Sequence, residues 1–437
     1  MTLLERSADV PAEAMTGTSE EILVVGGGIA GITAALEAAE TGARVYLVEK
    51  NPHLGGRVAQ LARYFPKLCP PTCGLEIDFQ RLRDNPDIRF FTQSEVEQLT
   101  GGPGRYRVKV RRQARYVNDR CTSCGLCVEV CPVDRPNPFD YGMSTTKAIS
   151  LSHEMAFPMK HAIDGATCLF EACGKCVAVC PVEAIDLRAQ PETIELDVGA
   201  IIVATGWQPY DARAIANLAF EHHPDVITNV MFERMLADNG PTQGRLLRPS
   251  DGSPVESVAF VQCAGSRDRL YLAYCSGICC LASLKEAQLL LERNPGAQAT
   301  IFYIDLRTPG TYQAFAANVL GQPNIRALKG KVADILPDAD GARLIVVADD
   351  MIGGAMSRTP VDLVVLATGM VPSEDGEGLA APLVRDVDGF LAEGADDSGI
   401  YVAGCARAPM DVATATLDGT AAAMRALGTV RRMVASA

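Results

Sequence analysis

The stretch Gln262–Cys280, QCAGSRDRLYLAYCSGICC, carries four cysteines at a point where a strand gives way to a helix. Upstream, Val258-Ala-Phe-Val261 is a short apolar run of strand character. Downstream, Leu281–Glu292 has apolar residues at helical spacing, and Thr300–Asp305 reads as a further strand. Strand, turn, helix and strand in that order make a nucleotide-binding unit of a parallel α/β fold. A nicotinamide site asks for a short glycine-rich turn there, so that backbone N–H groups at the helix start can reach a pyrophosphate. Here the turn is long, and Cys263, Cys275, Cys279 and Cys280 supply the four thiols that an iron–sulfur cubane takes. Buried cysteines packed as small apolar residues are the competing reading.

The same order of elements occurs near the start of the chain, with glycines in the turn. Glu21-Ile-Leu-Val-Val25 is a buried-strand run, Gly26-Gly-Gly28-Ile-Ala-Gly31 follows it, Ile32–Thr41 is helical, and Arg44–Val48 is a strand ending at Glu49. Gly26 permits the tight turn, Gly28 lets a pyrophosphate approach the backbone, and Gly31 allows close helix–strand packing; Glu49 would accept the ribose hydroxyls. Gly55-Gly56-Arg57 just beyond favours FAD over NAD. Two buried strands close on Ala-Thr-Gly, at Gly206 and Gly369, resembling the segment ends that in flavoproteins with two dinucleotide folds mark where the chain crosses between domains. Gly399–Cys405 ends a late FAD motif with Cys405 in place of its usual Asp, after Gly404, and Thr414–Leu427 reads as a helix whose N-terminus faces the flavin.

Between these halves lie Cys121-x2-Cys124-x2-Cys127-x3-Cys131-Pro132 and Cys168-x4-Cys173-x2-Cys176-x3-Cys180-Pro181, two bacterial ferredoxin runs. The last cysteine of each run serves the other cluster, giving Cys121, Cys124, Cys127 and Cys180 for one and Cys168, Cys173, Cys176 and Cys131 for the other. Zinc competes for CxxC pairs, but the repeated CxxxCP ending favours clusters. The expected cofactors are thus FAD and three [4Fe–4S] clusters. The expected fold is α/β, a flavoprotein with two dinucleotide-binding domains of the thioredoxin or glutathione reductase kind, with an inserted α+β ferredoxin domain. Its expected division is a tail over 1–18, an FAD-binding domain over 19–114, 189–252 and 371–437, the ferredoxin insert over 115–188, and the converted second nucleotide domain over 253–370.

Cys69-Pro-Pro-Thr-Cys73 lies past the flavin fingerprint, and three readings stand side by side: a redox dithiol, a thiol pair at a subunit contact, and plain structure. A chain of 437 residues with net charge −13 disfavours nucleic acid or an anionic membrane surface as partner. Its fifteen cysteines cluster at metal-ligand spacings rather than as a disulfide framework, which with no secretory apolar run points to a reducing, cytoplasmic setting. No apolar run approaches the roughly 18–20 residues of a membrane helix, so a membrane link would pass through a partner.

The FAD fingerprint, the ferredoxin insert and the Cx11CxxxCC stretch together resemble the flavin-bearing A subunit of heterodisulfide reductases, and within that group the A subunit of the quinone-interacting membrane-bound oxidoreductase. The resemblance runs from about Ile22 onward, through Cys69-Pro-Pro-Thr-Cys-Gly-Leu-Glu-Ile, Tyr141-Gly-Met143, His153–Pro158 and Phe260–Asp268. It implies an electron-transfer oxidoreductase working with a haem-bearing membrane subunit, besides a related B subunit, and linking the menaquinone pool to adenylylsulfate (APS) reductase in sulfur metabolism. An NAD(P)H-dependent flavin and iron–sulfur oxidoreductase is the rival, and the second glycine fingerprint it needs is missing.

Overall fold

The computed structural model describes residues 18–436, apart from 66–67, 375–382 and 394–397. The tail expected over 1–18 therefore lies, but for its last residue, outside the described residues.

Apolar runs build the first sheet, fully buried in the three strands Ile22–Val25, Ala200–Val203 and Ile400–Val402 and partly exposed in the edge strand Ile88–Phe91. Ile22–Val25, Val45–Val48 and Ile88–Phe91 lie side by side with Ala200–Val203 and Ile400–Val402, all parallel. Such continuous runs suit strands covered on both faces. Helices Ile29–Glu40 and Val412–Ala435 pack on one face through small residues, with Ala30, Ala34, Ala422 and Ala426 in one core. An antiparallel sheet of Ser94–Gly102, Arg105–Arg112 and Glu192–Val198 covers the other.

The second parallel sheet has the order Val226–Thr228, Leu363–Thr368, Ser257–Ala264, Gln298–Tyr303, Ile325–Lys329. Helices Asn229–Leu236 and Cys279–Arg293 cover one face of it. The strand and helix flanking the cysteine-rich turn are thus present, the helix beginning with two thiols. The two Ala-Thr-Gly ends continue at once into Trp207–Pro209 and Met370–Pro372, which pair antiparallel and tie the halves together.

Between Arg112 and Glu192 the chain forms a small unit of two hairpins, Asp134–Pro136 with Thr145–Lys147 and Ile149–Ser150 with Ala162–Ile163. Two short helices, Leu126–Glu129 and Lys175–Val179, follow the CxxC turns, and a bridge between Val117 and Ile185 closes the unit. The C-terminal helix starts at Val412, ahead of the Thr414 expected from sequence, because the Asp411 side chain caps it by accepting the Thr414 N–H at 2.8 Å.

Candidate functional site

A cavity of about 1160 Å³ lies at the C-terminal ends of the first sheet's strands, next to Gly26, Glu49 and Ala204. That is where open α/β sheets bind ligands, and the space exceeds the roughly 300–1,000 Å³ of common small-molecule sites. Gly26 has φ +108°, and a Cβ at Gly31 would fall on the Gly26 carbonyl oxygen, so only glycine lets the helix pack there. Gly28 and Gly56 face one another across the cavity mouth; a Cβ on Gly56 would stand 2.8 Å from the Gly28 Cα. This bare cradle fits a pyrophosphate, and the volume of the cavity leaves room for a dinucleotide.

Glu49 lines the cavity and accepts hydrogen bonds from Gly27 N at 2.6 Å, Asn51 N at 2.8 Å and Asn51 Nδ2 at 2.7 Å. Burial pushes its carboxyl up, against the lowering effect of those bonds. Arg57 donates through Nε to the Trp207 carbonyl at 2.6 Å and through Nη1 to the Tyr141 hydroxyl at 3.1 Å, with its guanidinium 5.1 Å over the Trp207 ring. Gly206 lines the cavity at φ +75°. Cys405 lines it with Sγ 3.5 Å from the Met410 carbonyl, and burial pushes that thiol up to about 11, so it is neutral. Gly404 donates its N–H to Asp418 at 2.8 Å, and the start of the C-terminal helix reaches the cavity at Val412 and Ala415. Gly369 stands off: a Cβ there would meet the Ser276 hydroxyl at 3.0 Å, beside the cysteine-rich turn.

Three cavity residues escape a sequence reading. Glu233 of Asn229–Leu236 and Lys285 of Cys279–Arg293 form an ion pair with both side chains almost wholly buried. Lys285 also donates to the Arg63 carbonyl at 2.7 Å, and Glu233 accepts the Ala62 N–H at 3.0 Å. Glu286 is fully buried beside them, and neither of its carboxyl oxygens has a hydrogen-bond partner. Burial, then the neighbouring Glu233 carboxylate, push Glu286 well above the usual carboxyl range.

The cysteines fall into sets. Cys121, Cys124, Cys127 and Cys180 line one cavity of about 20 Å³, together with His161. His161 is buried with Nδ1 3.9 Å from Cys121 Sγ. Burial raises the Cys121 thiol, but the imidazole outweighs it and holds the thiol at about 7, whereas burial and the Cys121 charge push Cys127 up to about 11. Cys176 lies within electrostatic reach of Cys168 and Cys173, and Cys131, Cys168 and Cys176 pack on the same small core. In the second half, Cys263, Cys275 and Cys280 all act on Cys279, whose thiol is pushed far up, chiefly by desolvation. Cys279 Sγ lies 3.7 Å from the Thr368 carbonyl, Cys280 Sγ 3.7 Å from that of Asp305, and Gly277 N–H donates to Cys275 Sγ at 3.3 Å. Among the described residues no three His, Cys, Asp or Glu side chains converge as the ligands of one metal ion do. Sets of four soft sulfur ligands suit an iron–sulfur cluster, and the Cys121 set lines one small cavity. Cys69 and Cys73 both lie near Tyr64, with Cys73 exposed, and neither lines the large cavity.

A family of FAD-dependent oxidoreductases matches residues 21–68, and a 4Fe-4S binding domain matches residues 114–134. The A subunit of the ferredoxin:CoB-CoM heterodisulfide reductase of Methanosarcina mazei is 40% identical over 94% of this chain. The A subunit of the H(2):CoB-CoM heterodisulfide,ferredoxin reductase of Methanothermobacter marburgensis is 37% identical over 95%. Over nearly its whole length the chain is thus similar to the A subunits of heterodisulfide reductases. The matches to an FAD-dependent oxidoreductase family and to a 4Fe-4S binding domain support FAD and an iron–sulfur cluster as its cofactors. The chain spans 54% and 65% of the length of those two relatives. The Lactococcus lactis thioredoxin reductase superposes with a TM-score of 0.52 at 13% identity, over 95% of this chain and all of that one. The thioredoxin reductase of T. acidophilum gives 0.50 at 14%, over 94% and 99%. The fold is therefore that of a two-domain disulfide-reductase flavoprotein carrying a ferredoxin motif. Among the described residues no helix is long and apolar enough to cross a membrane.

Proposed function

We propose that this chain is an electron relay in which one FAD and three [4Fe–4S] clusters pass electrons between partner subunits. The observation that carries the reading is adjacency: Ile278 and Leu281 line the large cavity, and Cys279 and Cys280 lie between them at the helix start. The insert reaches the same cavity from its side through Tyr116, Arg135 and Ile163. Bound FAD accepts electrons in pairs and releases them singly, which matches one-electron clusters on either side. In this reading Gly26, Gly28, Gly31 and Gly56 shape the pyrophosphate cradle, and Glu49, Arg57, Gly206, Gly404 and Cys405 complete the flavin site. Gly369 instead supports the third thiol set. Cys69 and Cys73 act as a surface thiol pair, turned to a partner rather than to the flavin.

The names of the methanogen relatives pair them with ferredoxin, H(2) and a CoB-CoM heterodisulfide. For this chain the stretches shared with the quinone-interacting oxidoreductase favour two partners, a related B subunit with a haem-bearing membrane subunit. APS reductase and the menaquinone pool then lie at the two ends, and the chain sits at the cytoplasmic face of the membrane through its partners. The rival reading takes electrons from a nicotinamide. Mixing the oxidised protein anaerobically with excess NADH or NADPH should leave the flavin absorbance unchanged, while a low-potential dye bleaches it. Stoichiometric bleaching by either nicotinamide within the mixing time would overturn the relay reading in favour of its rival.

A further inference from the structure

Glu286 is a fully buried acid with two carboxyl oxygens that accept no hydrogen bond from the protein. It lines the large cavity beside Glu233 and Lys285, which are paired with each other. Native proteins rarely leave such a group without a partner. The Glu233 carboxyl lies close enough to Glu286 for a proton to be shared between them. Two ionised carboxylates cannot bond to each other, since both only accept; one proton placed between them satisfies both. The charges agree. With both acids ionised and Lys285 protonated, the buried group carries one net negative charge in a low-dielectric space, and one shared proton brings it to zero.

Among the described residues no other charge is placed to neutralise it. Helix Asn229–Leu236 contributes Glu233 and Arg234, but Arg234 is spent on Asp140 at 2.8 Å. The turn Gly56–Gln60 contributes Arg57, which is held by Trp207 and Tyr141. Strand Leu363–Thr368 offers no titratable side chain, and strand Ser257–Ala264 offers only Cys263. Strand Gln298–Tyr303 and helix Tyr312–Leu320 add only Tyr303 and Tyr312, neither of them a cation. On the helix of Glu286 itself, Cys279 is two turns away and adds no positive charge.

We propose that Glu233 and Glu286 form a carboxyl pair holding one shared proton against Lys285, and that this pair is the proton donor and acceptor for two-electron chemistry in the cavity. The inference rests on the flavin occupying that cavity. Were a flavin bound there and reduced by one-electron iron–sulfur donors, Glu233 and Glu286 would release their shared proton, the O–H bond breaking as an N–H bond formed on the ring. Two electrons and one proton would leave one negative charge on the reduced flavin and one on the two carboxylates beside Lys285, and on reoxidation the proton would return to the pair. Solvent reloads the pair between turnovers. This would give the relay a local proton source beside the cavity.

The test is infrared difference spectroscopy on the full-length protein, with flavin content read independently from visible absorbance. The expected result at neutral pH is one protonated-carboxyl C=O band, lost in both Glu286→Gln and Glu233→Gln. Either change lets the remaining acid ionise against Lys285, so loss in both single variants is the mark of a shared proton. The band should shift when flavin binds and disappear transiently on photoreduction. In Glu286→Gln, flavin should remain bound while its reduction by a low-potential dye slows about a hundredfold, in the range of general acid–base effects. Absence of the band from the wild-type protein, or its survival in both single variants, would overturn the shared proton. A band present but unmoved by flavin binding, with flavin at full occupancy, would overturn its role toward the flavin and leave the flavin assignment standing. An unchanged reduction rate in Glu286→Gln would do the same.

Discussion

The two nucleotide-type turns of this molecule solve opposite problems on one framework. In the first, strand Ile22–Val25 passes to helix Ile29–Glu40 through Gly26-Gly-Gly28 alone. In the second, strand Ser257–Ala264 reaches helix Cys279–Arg293 only after residues 265–278. The first turn works by the absence of side chains: a Cβ at Gly31 has no room, and the Gly28 backbone faces the cavity directly. The second works through its side chains, and its backbone bends to aim them. Cys263 and Arg267 adopt φ of +56° and +60°, and Gly265 and Gly277 of +81° and +71°. Left-handed backbone at non-glycine residues costs of order 1–3 kcal/mol each and persists where surroundings impose it. Here the surroundings are the buried Gln262, Ser266 and Ser276, and the Arg267 ion pair with Asp305. The strand-and-helix scaffold is thus indifferent to its ligand, and the turn decides whether backbone amides meet a phosphate or thiolates meet iron.

The largest effect is expected where that contrast is steric. Gly31→Ala drives a methyl group onto the Gly26 carbonyl between two buried elements. The helix must move off the sheet, at a cost of about 3 kcal/mol or more. The measured outcome should be a lower urea midpoint and loss of flavin on gel filtration, with the iron of the ferredoxin insert retained in whatever folds. Full flavin occupancy with unchanged stability would break the comparison at its first term.

Next comes Cys275→Ser, which removes one of four thiols from the second turn. Three cubanes correspond to about twelve irons per flavin, and the variant should fall to about eight with flavin unchanged. Loss of flavin as well would mean that the two turns depend on each other. Iron near eight already in the wild type would remove the third cluster and leave the second turn as packed thiols.

Both turns are legible in the sequence because glycine and cysteine report local requirements. A glycine before a helix speaks of backbone and space, and a cysteine spacing speaks of ligand geometry. The Glu233–Lys285–Glu286 group is not legible there. Leu281–Arg293 alternates charged and apolar residues like any helix with a solvated face, and Lys285-Glu286 looks like part of that face. Only the packing of Asn229–Leu236 across it, together with the loop through Ala62 and Arg63, takes the pair out of water. His161 escapes for the same reason, since its place beside Cys121 spans 40 positions of sequence. The late start expected for the C-terminal helix, by contrast, overlooks a local sign: Asp411 stands at the capping position, and a capping aspartate is legible.

The smallest effect sharpens the comparison most. Gly277 sits at φ +71° between Cys275 and Cys279, and an added Cβ would have nothing within 4 Å. Unlike Gly31, it is glycine for its dihedral angle and not for space. Gly277→Ala should therefore cost only the left-handed preference, about 1 kcal/mol once the reduced entropy of the unfolded chain is set against it. Its N–H, which donates to Cys275 Sγ at 3.3 Å, survives the change. Iron and flavin content should stay at wild-type values, with a slightly lower unfolding midpoint as the sole trace. If iron falls instead, the methyl group must displace something that only the occupied turn contains. The second turn would then be as intolerant of a side chain beside its ligand as the first is beside its own.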